Sequence, residues 1–193
     1  MTKSILLATK NISKFELVKN LMCFCGFENY DFFCLKDLDI QIEDKKEEGS
    51  IFDRAKQKAL DANKVLKNKY DFIAGIDDGI EIKGKIETEV KKILPYIIED
   101  KLLAENEIVN ICRGFYFISK NNKEYGFITK IPFKYKKFTG NINDLKNSSY
   151  PLSYVLCTLN SETPVINLDK YSENTYYKKY CEEFFKSFDK IDN

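Results

Sequence analysis

The sequence contains no histidine. That excludes histidine general bases, imidazole-ligated zinc and Ser-His-Asp triads. Arginine is almost as scarce: Arg54 and Arg113 are the only two among 31 basic residues, so lysine stands where another protein would use arginine. The six cysteines, Cys23, Cys25, Cys34, Cys112, Cys157 and Cys181, include no Cys-x-x-Cys pair, and the Cys23/Cys25 spacing does not suit a zinc knuckle. They read as reduced, mostly buried thiols of a cytoplasmic protein. No signal peptide or long apolar run is present, so no transmembrane span is expected. Neither sign of charge dominates. A net charge of +1 points away from nucleic acid and from anionic membranes as partners.

What is present describes an ordinary globular chain. Its 193 residues, 44% hydrophobic and 32% charged, can bury a sizeable core and read as a single domain over 1–193. Ser4 to Thr9 is a short apolar run, read as a buried strand. Ser13 and Glu16 match a capping box, which predicts a helix starting there with Leu17, Val18, Leu21, Met22 and Cys25 as its apolar stripe and Gly26 as its stop. Phe32 to Leu35 reads as a second strand, and residues 36–49 as an exposed loop. Ser50 can cap a helix over about 51–67, where Phe52, Ala55, Ala59, Ala62 and Leu66 keep the 3.6-residue period. Phe72 to Ile76 is a strand that Asp77-Asp78-Gly79 interrupts before Ile80 to Ile82 resumes it. A helix around Val90 to Ile98 carries Pro95. A hairpin follows from Cys112 to about Phe138, turning at Asn121-Asn122, with a further strand at Tyr154 to Leu159. Tyr176, Tyr180, Phe184 and Phe188 mark a last amphipathic helix. The order β-α-β-α-β-α-β-β-β-α predicts an α/β fold with a mixed sheet and flanking helices.

Three features can carry chemistry. Asn11 and Lys14 sit where a buried strand meets a helix. Free N–H groups, the helix dipole and an ammonium make an anion site there, although a turn amide and a solvated lysine give the same pattern. Asp77-Asp78-Gly79 lies inside an apolar strand. If the strand continues, the two carboxylates point to opposite faces, and a divalent metal removes the cost of burying one. Asp-Gly is equally a favoured hairpin turn pair. Glu43 to Gly49 is an acidic stretch that reads as a solvated loop unless the other two features lie beside it.

Taken in order, these stretches resemble the inosine triphosphate pyrophosphatase family, which hydrolyses non-standard purine nucleoside triphosphates. The family's Thr-Gly-Asn-x-x-Lys appears as Thr9, Lys10, Asn11, Ile12, Ser13, Lys14, with Lys10 in place of glycine. Its Glu-rich loop, glycine and Ala-rich helix appear as "EEGSIFDRAKQKALDANKV", with Lys58-Ala59 at the Lys-Ala position and Asp53-Arg54 where Glu-Asn is usual. Its Asp-Asp-Ser-Gly-Leu strand end appears as "IAGIDDGIEI". The resemblance covers roughly residues 4–84. It implies two lobes around a central groove, a homodimer, magnesium as cofactor and a nucleoside triphosphate as substrate. Asn11 and Lys14 would hold the phosphates, and Thr9, Lys10 and Asp78 would join them in binding the substrate. Glu47 (or Glu48) and Asp77 (or Asp78) would bind magnesium and position the attacking water, with Asp77 and Lys14 catalytic. Cleavage would fall between the α- and β-phosphates.

The second half departs from that pattern. "SSYPLSYVLC" stands where the family has Gly-Phe-Gly-Tyr-Asp-Pro, and no Ser-His-Arg precedes the last helix. Lys178 or Lys179 would supply the lost positive charge, but a lysine does not reproduce a planar guanidinium fork. The phosphate side is kept and the base-reading side changed. That fits a nucleoside triphosphate pyrophosphatase with altered base recognition, or an inactive relative that binds a nucleotide or a protein.

Overall fold

The computed structural model describes residues 2–38, 48–99 and 101–189. β1 (Lys3–Leu7) leads into α1 (Ile12–Met22), which runs on into a turn at Cys23–Phe27 kinked by Gly26 at φ +105°, the left-handed conformation that stops a helix. β2 (Tyr30–Cys34), α2 (Ile51–Leu66) and β3 (Phe72–Ile82) follow, then the short β4 (Lys85–Glu87) and α3 (Val90–Ile98). β5 (Ile108–Ser119) and β6 (Glu124–Tyr135) form the long hairpin, and α4 (Ile142–Asn147), β7 (Leu156–Cys157) and α5 (Lys170–Asp189) close the described chain. The sheet runs β2-β1-β3-β5-β6-β7, with β4 pairing off β3. β1 is parallel to β2 and β3, while β5, β6 and β7 continue the sheet antiparallel.

Strand alternation divides the sheet into two faces. Ile5, Leu7, Phe72, Ala74, Ile76, Phe115 and Phe117 pack in one core with α1 and α5. Leu6 and Ile73 face Ala62 and Leu66 of α2, and Tyr116 and Ile118 face its Ala55 and Ala59. The result is three layers, with α2 on one face and α1 and α5 on the other. Gly75 lets α2 lie this close: a Cβ there would stand 1.9 Å from the Ala55 carbonyl oxygen.

Several expectations change in detail. α1 is capped by Asn11, whose Oδ1 accepts from the Lys14 N–H at 3.1 Å, so the helix begins before the Ser13/Glu16 box. Ser13 Oγ instead meets Ser149 Oγ at 2.7 Å. Ser50 caps α2 as its sequence predicts, in a capping box with Asp53. β3 is not interrupted at Asp77-Asp78-Gly79. All three pair with β5, opposite Gly114, Arg113 and Cys112, and the reversal comes later at Lys83-Gly84, where both residues have positive φ. The strand expected at Tyr154 to Leu159 shrinks to Leu156–Cys157 behind a 3₁₀ turn at Pro151–Tyr154. α5 starts earlier than expected, at Lys170; Tyr176 and Phe188 of the expected stripe are buried, Tyr180 is half-buried and Phe184 exposed, and Tyr177, Cys181 and Phe185 complete the buried face. All six cysteines are free thiols, five of them buried.

Candidate functional site

The uninterrupted course of β3 builds the site. Asp77 shares a face with Gly75 and points toward α2; Asp78 shares a face with Ile76 and points toward α1. On α2, Arg54 and Lys58 are four residues apart and therefore project from one side of the helix. Lys58 donates to Asp77 Oδ1 at 2.7 Å, and Arg54 Nε stands 3.0 Å from Asp77 Oδ2. The latter contact is an ion pair without hydrogen-bond alignment, since Oδ2 is buried and accepts no hydrogen bond. On the other face, Lys14 from the first turn of α1 reaches Asp78 Oδ2 at 3.0 Å and lies 4.0 Å from Asp77 Oδ1. Arg113, directly across the ladder on β5, donates Nε to Asp78 Oδ1 at 2.6 Å.

Two carboxylates thus hold four cations. Asp77 is 5% exposed and Arg113 1%, so these pairs sit largely out of water, where charge interactions are strong and an unmatched charge is costly. Burial by itself would raise the Asp78 carboxyl. The Arg113 guanidinium and the Lys14 ammonium outweigh that and hold it below the usual carboxylate range. Beside Arg113, burial pushes the Tyr150 hydroxyl up to about 12 and Tyr177 higher than an ordinary tyrosine, so both remain neutral donors. Arg113 Nη1, Tyr150 Oη and Tyr177 Oη are buried without hydrogen-bond partners.

The Asp pair lies in a cleft of about 990 Å³. Asn11, Lys14, Arg54, Lys58 and Arg113 line it together with both aspartates. The facing wall comes from Thr88 to Lys92, Ser148 to Ser153 and the segment around Val165 to Lys170. Its size suits a nucleotide, and its floor suits an anion.

The structure therefore brings Asn11, Lys14, Asp77 and Asp78 into one cleft. Thr9 and Lys10 precede the cap without lining it, and Thr9 Oγ1 accepts from the Asn11 N–H at 3.1 Å. Glu47 lies outside the described residues; Glu48 is exposed and does not line the cleft. Lys178 and Lys179 are also not among its lining residues. Lys178 instead pairs with Glu182 at 3.8 Å and lies over the Phe24 ring. Arg54, Lys58 and Arg113 carry charge that the sequence reading gave to other positions. Both of the chain's arginines are committed to the Asp pair, a pairing that no local pattern in the sequence announces.

A fold of this kind, with parallel strands at one side of the sheet and an antiparallel extension at the other, belongs to a known structural class. Solved structures with the same fold include the Staphylococcus aureus Ham1 protein, with a TM-score of 0.66 at 14% identity over 97% of this chain and 98% of that one. A HAM1 protein from Coxiella burnetii gives 0.63 at 14% identity, covering 97% and 99%. A nucleoside-triphosphatase described as a dITP/XTP pyrophosphatase, from Mycobacterium abscessus, gives 0.57 at 10% identity, covering 92% and 94%. The chain has the Ham1/ITPase-like fold along nearly its whole length. No protein-family model and no curated protein matches the sequence.

Proposed function

We propose that this chain is an ITPase-like nucleoside triphosphate pyrophosphatase, releasing pyrophosphate and a nucleoside monophosphate, with base recognition different from the family's. The observation that carries this reading is the convergence of Lys14, Arg54, Lys58 and Arg113 on Asp77 and Asp78 at the floor of the cleft. The fold supports it, since one protein sharing it is described as a dITP/XTP pyrophosphatase.

In this reading the flexible cations facing the cleft turn to the phosphate chain. Asn11 spends its Oδ1 on the helix cap, which leaves the donor end of its amide for a phosphate oxygen. When Arg54 moves to the phosphates, Asp77 Oδ2 opens to a water molecule. The water oxygen adds to a phosphorus of the α–β anhydride, its proton passes to Asp77, and the bridging P–O bond breaks. Lys14, Arg54 and Lys58 counter the charge on the departing group. The wall from Ser148 to Ser153, with Tyr150, takes the place of the family's glycine-rich base segment.

Of the acids that the resemblance implies for magnesium, Glu47 lies outside the described residues, which leaves Asp77 and Asp78. Both are already paired with cations, and no group of three metal-binding side chains exists among the described residues. The steps above use none. The resemblance carries a homodimer with it, which light scattering in solution checks, and the free thiols fit a cytoplasmic location.

The purified protein, assayed with magnesium present against ITP, XTP, dUTP and related triphosphates, is expected to release pyrophosphate, and Asp77→Asn to abolish the release. Absence of release across a broad panel would remove the hydrolase reading. Nucleotide binding without turnover would leave the inactive binding module.

A further inference from the structure

We propose that Glu173 sets base specificity in this cleft, and that it selects a base of the guanine type, with a ring N–H and an exocyclic amino group side by side. The inference rests on reading the cleft as a nucleoside triphosphate site and adds which base edge that site accepts.

Glu173 stands in the first turn of α5 and lines the wall that faces the Asp pair. An acid in a first turn is ordinarily explained by the helix N-terminus. Here that duty falls on Asp169, whose Oδ1 accepts from the Ser172 N–H at 2.9 Å and whose Oδ2 accepts from the Ser172 hydroxyl at 2.6 Å. The Glu173 side chain is 12% exposed, yet its Oε2 meets only Lys170, at 3.4 Å, and that lysine side chain is 76% exposed. So exposed a lysine holds a carboxylate weakly. Oε1 has no partner among the described residues. A carboxylate so far out of water favours a ligand that brings N–H donors.

The surroundings narrow the ligand further. Pro151, Leu152, Val165 and Leu168 give the same wall an apolar surface against which a flat ring packs. Two groups lining the cleft are donors without acceptors: Arg113 Nη1, in a side chain that is almost fully buried, and Tyr150 Oη. Such donors favour a ligand that brings an acceptor. Guanine offers O6 to a donor, and its N1–H and 2-amino group to the two oxygens of a carboxylate. Hypoxanthine lacks the amino group. Xanthine turns a 2-oxo group toward the carboxylate, and adenine presents a ring nitrogen lone pair where guanine presents N1–H.

The test uses α,β-methylene analogues of GTP, ITP, XTP and ATP, which resist cleavage at the α–β bridge. They are titrated into the whole chain by isothermal titration calorimetry with magnesium present. The GTP analogue is expected to bind about tenfold more tightly than the ITP analogue, the worth of one hydrogen bond to a charged group, with XTP and ATP weaker still. Glu173→Gln, confirmed as folded by its thermal transition, is expected to lose that preference. It is also expected to bind the XTP analogue more tightly than the wild type does, because a carboxamide donates to the 2-oxo group. A merely structural role for Glu173 would weaken all four alike. That result, equal wild-type affinity for the GTP and ITP analogues, or a GTP preference that survives Glu173→Gln would overturn this inference and leave the pyrophosphatase reading intact. Absence of binding by all four would overturn the two together.

Discussion

Asp78 shows how much a single side chain can depend on partners far away in sequence. Its carboxylate stays charged in a mostly dry place only because Arg113 and Lys14 reach it, at 2.6 and 3.0 Å. Removing one member of such a pair costs about 3–5 kcal/mol, because the remaining charges are left uncompensated. Asp78→Asn is therefore expected to lower the urea midpoint markedly at pH 6. The pH dependence follows from the direction of the shift. The folded carboxyl titrates below an unfolded aspartate, whose pKa is about 3.9. The stability it contributes is fully present above that value and is lost as pH falls through it toward the lower folded value. The gap between wild type and Asp78→Asn is thus expected to narrow at pH 3 by roughly 1 kcal/mol. An equal gap at both pH values would show that Asp78 contributes by shape and not by charge. At this scale Asn11, Lys14, Asp77 and Asp78 were legible because each sits in a short local pattern. Arg113 was not, because an arginine in a β-strand gains meaning only from the residue across the ladder.

The elements show where local signals compete. The Ser13/Glu16 box predicted the start of α1, yet Asn11 caps it. β1 settles the choice: pairing continues to Ala8, whose N–H donates to Ala74 O at 2.7 Å, and the chain must then turn at once. Asp-Gly favours a turn, yet β5 offers a partner to each residue of Asp77-Asp78-Gly79, and the extended ladder wins. The helix of α2 was readable from its alanine spacing, and Arg54 and Lys58 come onto one side of it by the same period. Their target was not readable, because it depends on how closely α2 approaches β3. That approach is testable. Gly75→Ala would set a Cβ 1.9 Å from the Ala55 carbonyl oxygen, and backbone on both sides must move. Overpacking of this kind costs about 3 kcal/mol or more. The thermal transition is expected to fall accordingly, and triphosphate binding to weaken further than stability alone explains, since Arg54 and Lys58 move with the helix. Unchanged binding in a folded Gly75→Ala protein would show that the helix position does not set the site.

At the scale of the molecule, the cleft joins parts that are far apart in the chain. α1, α2 and β3 supply its floor, and Ser148 to Ser153 and the approach to α5 supply the opposite wall, touching through the Ser13–Ser149 hydroxyl contact. A ligand that bridges these parts binds the folded state and not the unfolded one. At about 100 times its dissociation constant such a ligand adds about 2.7 kcal/mol of stability. For a chain of this length that corresponds to roughly 2–4 °C per kcal/mol. A bound triphosphate is expected to raise the melting temperature by several degrees, measured by differential scanning calorimetry, and the rise is expected to shrink in Lys14→Gln. A nucleotide panel that leaves the transition unmoved would remove the cleft from consideration as a triphosphate site.

By itself the sequence determined the α/β alternation, the span of α2 and several of the residue types gathered at the cleft floor. These follow from periodicity, capping chemistry and short motifs, all acting over a few residues. Only the tertiary structure decided that β3 runs straight through Asp77-Asp78-Gly79, that both arginines serve those two acids and that Lys178 and Lys179 do not. Each of those outcomes rests on charge pairing and ladder register between residues tens of positions apart. A buried carboxylate finds its counter-ion through the fold, and local sequence contains no record of which cation that will be.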